Sequence, residues 1–139
     1  MNMKNIKIII FIVSSLLIIT LIFVCYLYER KLNLDADDTK YITISMYGKT
    51  NIEFTLDSQD DINVLFAQLR SMTYSKPSFI YGKGYFIAIN IYSKKSLNTK
   101  KIYFTNSNII IDGIKYKLNN GKVASLSTKI IELSKKYIK

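Results

Sequence analysis

Lys94, Lys95, Lys100, Lys101, Lys115, Lys117 and Lys122 fall close together in the C-terminal half of the chain. Grouped ammonium ions of this kind do binding chemistry, attracting an anionic polymer, anionic lipid headgroups or an acidic protein surface through their long-range field. Catalysis has less to work with. The chain holds no His, and its one cysteine, Cys25, lies inside an apolar run. A nucleophile would need a Lys, Tyr or carboxylate as its base within hydrogen-bond reach. Most of the carboxylates among Glu53, Asp57, Asp60, Asp61, Asp112 and Glu132 have simpler roles at helix starts, turns and exposed strand positions. Zinc lacks ligands, and Asp57 to Asp61 lacks the glycine and closing glutamate of a calcium loop. Gly82-Lys83-Gly84 lacks the spacing and following hydroxyl of a P-loop. The expectation is no catalytic residue, no metal and no cofactor. Phe79, Ile80, Tyr81 and Tyr85 offer a second kind of contact, an apolar loop able to touch a partner or a bilayer surface; the plainer reading tucks it under itself as a satellite core.

Whether the lysines share a surface depends on the strands that carry them. Asp112-Gly113 between two apolar runs is a hairpin signal, because the two-residue turn needs positive φ at both positions. That register sets Ile111 against Ile114, Ile109 against Tyr116, Ile110 against Lys115 and Asn108 against Lys117. A second turn at Asn106-Ser107 brings Phe104 beside Ile109 and Ile102 beside Ile111, extending the apolar face without a mismatch. The other face then collects Lys101, Tyr103, Thr105, Ile110, Lys115 and Lys117, so one side is core and the other wet and basic. Exposed lysines also serve simply as a soluble face.

The remaining elements follow from period. Tyr41 to Tyr47 alternates, with Ile42, Ile44 and Met46 on one face; Ile52, Phe54 and Leu56 do the same, and Gly48 to Asn51 makes the turn between them. Ile62, Leu65, Phe66 and Leu69 then take helical spacing behind Ser58, with Asp61 placed as in a capping box. Met72 to Gly84 reads as a loop holding the only proline, Pro77. Tyr85 to Tyr92, apolar on both faces apart from Asn90, reads as a central strand. Ser125 or Ser127 is placed to cap a final helix carrying Leu126, Ile130, Leu133 and Tyr137 inward. The expected fold class is α+β: an N-terminal transmembrane helix, then a small antiparallel sheet with two helices packed on one face, in the order ββαββββα. Pairing between the first hairpin and the later meander is left open.

Ile8 to Leu27 is a run without charge, Gly or Pro. A helix of that length spans roughly 30 Å, the hydrocarbon thickness of a bilayer. A cleaved signal would have a shorter core and a small-residue cleavage site, and Ile22, Phe23 and Val24 are too bulky to make Cys25 a lipidation site. A pilin-like subunit also opens on an apolar helix, but Lys7 precedes this run and no glutamate occurs before Glu29. The chain therefore divides into a short basic tail (1–7), a transmembrane helix (8–28), an acidic solvated tether (29–39) and a small basic α+β domain (40–139). Lys4 and Lys7 before the run and Arg30 and Lys31 after it nearly balance the positive-inside count, and the short leading tail favours an outward domain. The Ile, Lys, Asn and Ser bias fits an AT-rich bacterial genome, and the formal net charge of +10 is partly that bias.

These features imply a non-catalytic cell-surface accessory, sensor or binding module on a single-pass anchor, meeting anionic cell-wall polymer, anionic lipid or an acidic protein. No nucleic-acid motif is present and no nucleic acid is expected as partner. Two other readings compete: a small anchored immunity or exclusion protein against a bacteriocin or phage, and a cell-surface hydrolase working without His.

Overall fold

The computed structural model describes residues 1–49, 51–77, 86–120 and 123–138. Helix α1 spans Met3–Leu27, starting ahead of the apolar run because the Asn2 side chain accepts from the Lys4 amide. Ser14, Ser15 and Thr20 donate their hydroxyls to the carbonyls of Ile10, Phe11 and Leu16, so these polar groups are satisfied within the helix. It is long and apolar enough to cross a membrane, and none of its span is buried against the rest of the chain.

After α1 come β1 (Arg30–Lys31), β2 (Thr39–Met46), β3 (Ile52–Leu56), α2 (Gln59–Arg70), β4 (Thr73–Pro77), β5 (Ile87–Ser93), β6 (Thr99–Phe104), β7 (Asn108–Ile111), β8 (Ile114–Asn120) and α3 (Val123–Tyr137). The strands form one antiparallel sheet in the order β1-β4-β8-β7-β6-β5-β2-β3. The expected ββαββββα order is recovered in β2, β3, α2, β5 to β8 and α3, within a sheet enlarged by β1 and β4. Pairing of β2 with β5, Ile44 opposite Ile89, joins the first hairpin to the meander. The meander has the expected register, with Ile102 opposite Ile111, Phe104 opposite Ile109, Ile110 opposite Lys115 and Asn108 opposite Lys117. Asp112 and Gly113 take φ of 48° and 87°, the left-handed geometry that this turn demands.

Alternation places Ile42, Ile44, Phe54, Leu56, Ile87, Ile89, Ile102, Phe104 and Ile109 on one buried face. Helices α2 and α3 close that face with Ile62, Leu65, Phe66, Leu69, Leu126, Ile130 and Leu133. A third piece of cover comes from the segment expected to be a solvated tether. Leu32, Leu34 and Ala36 are buried in the same core. Its backbone is held as well: Arg70 donates to the Leu34 carbonyl at 2.6 Å and Gln59 to the Ala36 carbonyl at 2.7 Å. Asn33, Asp35 and Asp37 alternate with these apolar residues and are exposed, whereas the Asp38 carboxylate turns in to accept from Ser93. Only Tyr28 and Glu29 separate α1 from the edge strand β1.

Three local expectations are corrected. Thr73–Pro77, placed in a loop, is strand β4 between β1 and β8; Pro77 is tolerated because the register shifts between Ser75 and Pro77, where the ladder is irregular. Ser58 makes no side-chain cap bond at the start of α2, and the Asp61 side chain does not return to the helix start but turns to α3, as described below. Ser125 and Ser127 lie within α3 and not ahead of it, and the Ser127 hydroxyl donates to the Val123 carbonyl.

Candidate functional site

The second face of the sheet has no helix over it among the described residues. Because β6, β7 and β8 keep period-two alternation, Lys101, Tyr103, Ile110, Lys115 and Lys117 project from this face, opposite to Ile102, Phe104 and Ile109. Register extends the rows across the sheet: Lys115, Ile110, Tyr103, Ala88, Ser45 and the exposed Glu53 lie side by side, and Lys101, Asn90, Thr43 and Thr55 make the next row. Lys101 and Lys117 are exposed, while Tyr103, Ile110 and Lys115 are half-buried. Glu53 ends the Lys115 row on the far strand, and Asp112 is engaged in the turn, accepting from the Lys101 amide at 2.9 Å.

The seven lysines are not all brought together. Lys94 and Lys95 sit in the exposed β5–β6 connection, whose start is pinned by Asp38: Ser93 donates to its carboxylate at 2.6 Å and the Lys94 amide to its carbonyl at 2.6 Å. Lys100 pairs with Ile91 and so projects from the helix-covered face, its Nζ 3.4 Å from the Asn33 carbonyl. Lys122 and the contact-loop residues Phe79, Ile80, Tyr81 and Tyr85 lie outside the described residues. The basic face therefore rests on Lys101, Lys115 and Lys117, with Lys94 and Lys95 at its end.

No family model, curated protein or solved structure matches this chain.

One compact group of titratable residues lies elsewhere. Lys136 donates to Asp61 at 2.7 Å and the Tyr137 hydroxyl to its other oxygen at 2.8 Å. The Lys136 and Tyr137 hydrogen bonds hold the Asp61 carboxyl below its ordinary value. Asp61 in turn raises Lys136, and burial followed by the bond to Asp61 raises Tyr137. Each shift favours the charged or protonated form already in place, so the group stays fixed near neutral pH and pins the start of α2 to the end of α3. Among the described residues no three His, Cys, Asp or Glu side chains cluster as metal ligands.

Sequence reasoning missed two tyrosines on the basic face. Tyr41 and Tyr92 meet across β2 and β5 with ring centroids 4.4 Å apart. Their meeting depends on a strand pairing that local pattern does not encode; the only signal was that each precedes or follows an inward isoleucine, placing its ring outward.

Proposed function

We propose that this chain is a single-pass, membrane-anchored bacterial cell-surface protein whose outward domain binds an anionic partner, polymer or lipid, through its basic sheet face without catalysing a reaction. The observation that carries the reading is α1 itself: an apolar helix with no part of its span buried, continuing after two residues into the sheet edge. Exposing such a surface to water is unfavourable by roughly 25 cal/mol for every Å² of apolar area, and a bilayer removes that cost.

The joint also limits what the domain can reach. Leu32, Leu34 and Ala36 are spent on the core, so no slack remains to lift the domain through a thick wall. Its partner is one that comes to within a domain's diameter of the membrane. Lys101, Lys115 and Lys117 supply the attraction, and the tightness of the Asp61 group supports a fixed scaffold.

Two measurements test this with the full chain. Protease added to intact protoplasts should degrade the domain, and complete protection would place it on the other side of the membrane. In nanodiscs, binding to anionic vesicles or to a teichoic-acid-like polymer should weaken steeply with salt. Equal binding after Lys101→Ser, Lys115→Ser and Lys117→Ser together would remove the basic face from the reading.

A further inference from the structure

The uncovered face holds a feature that charge attraction alone leaves unused. Tyr41 and Tyr92 are cross-strand partners whose rings stack at an interplanar angle of 21°. The adjoining row contains Thr43, Asn90 and Lys101. Asn90 donates its amide to the Thr43 hydroxyl at 3.3 Å, and its amide oxygen is buried and has no partner among the described residues. Aromatic rings, an amide and an ammonium ion are therefore neighbours across three strands, each strand about 4.8 Å from the next.

A phosphate or carboxylate polymer bound by charge alone would need the lysines and nothing else. A stacked aromatic pair beside an amide suits a sugar ring: its C–H groups rest on the electron-rich ring face while its hydroxyls reach the polar neighbours. Charge selects among sugar polymers, because Lys101 and Lys117 are exposed on this face and Lys94 and Lys95 at its end. We infer that Tyr41, Tyr92, Asn90 and Lys101 form a subsite for one sugar unit of an anionic saccharide polymer. This rests on the reading of the face as anion-binding and names the class of polymer it takes.

The test uses the full chain in neutral-lipid nanodiscs and three probes: polyglucuronate, uncharged dextran, and polyphosphate, which has charge but no sugar. Polyglucuronate should bind and dextran should bind far more weakly. Tyr92→Leu should weaken polyglucuronate roughly five- to tenfold and leave polyphosphate unchanged, whereas Lys101→Ser should weaken both. If Tyr92→Leu does not retain the parent's circular dichroism, Asn90→Ala is read in its place, with the same selective loss expected. Unchanged polyglucuronate binding by the folded variant, with Lys101→Ser still effective, overturns the sugar subsite and leaves the anion-binding face standing. Dextran binding as tightly as polyglucuronate overturns the anionic requirement. Failure of both anionic probes to bind overturns the subsite together with the reading beneath it.

Discussion

The two faces of this sheet are one residue apart along every strand and differ in almost everything else. Ile44, Ile89, Ile102 and Phe104 have no exposed surface, while Thr43, Asn90, Lys101 and Tyr103, each adjacent in sequence to one of them, look the other way. The closed face is covered three times over, by α2, by α3 and by the 32–36 segment. The open face is held up by that packing and contributes little to it. If the open face binds as proposed, stability and recognition fall on separate surfaces, and substitutions on one should leave the other's property nearly unchanged.

The largest effect that could break this separation is in the core. Phe104→Ala removes a fully buried ring from the centre of the sheet and should cost about 3–5 kcal/mol in unfolding free energy. Lys101→Ser, on the other face, should change it by less than about 0.5 kcal/mol. Denaturant unfolding of both variants in the same detergent checks the pair, and similar costs would show that the open face is structural too. Next in size is Leu34→Ala, expected to cost about 2 kcal/mol because the residue belongs to the core. A solvated tether would tolerate the change, so this variant decides whether the anchor is joined to the domain stiffly.

How much of this was legible in the sequence depended on whether the signal was local. The Asp112-Gly113 turn carries its own backbone requirement and set the register of β7 and β8, and a second turn at Asn106-Ser107 added β6, which together placed Lys101, Lys115 and Lys117 on one face. The spacing of Ile62, Leu65, Phe66 and Leu69 likewise marked α2. Strand β4 was hidden because Thr-Tyr-Ser-Lys-Pro neither alternates in polarity nor lacks proline; neighbours on both sides create it. The 32–36 segment did alternate, Leu32, Leu34 and Ala36 against Asn33 and Asp35, but its charge disguised a buried strip as a linker. Tyr41 meeting Tyr92, and Asp61 choosing Lys136 over its own helix start, are tertiary events that no window of sequence contains.

Asp61 sharpens the comparison at an intermediate size, since it ties the helical cover together. Asp61→Asn should lower stability by about 1 kcal/mol at neutral pH. Because the folded-state pKa lies below the ordinary 3.8, the carboxylate's contribution is complete above that value and disappears as pH falls through the lowered one. Lys136, raised above 10.5, contributes below that pH and loses its contribution as pH rises through the raised value. Thermal melting of parent and variant should therefore differ across the neutral range and converge in acid. A gap that persists at the lowest pH would mean the variant acts through packing.

The smallest effect on stability, and the sharpest on recognition, comes from two adjacent lysines. Lys100 and Lys101 are neighbours in sequence and carry the same charge, yet Lys100 pairs with Ile91 on the covered side and Lys101 with Asn90 on the open one. Lys101→Glu should weaken binding of an anionic polymer about fivefold or more at low salt, since one cation near an anionic surface contributes about 1 kcal/mol. Lys100→Glu makes the same change in net charge from the wrong side of the sheet. At physiological ionic strength, where charges beyond about 8 Å are largely screened, it should leave binding nearly unchanged. Comparing the two variants in one salt series separates a positioned contact from the general attraction of a basic protein: equal losses from both would mean that only net charge matters and that the open face has no particular role.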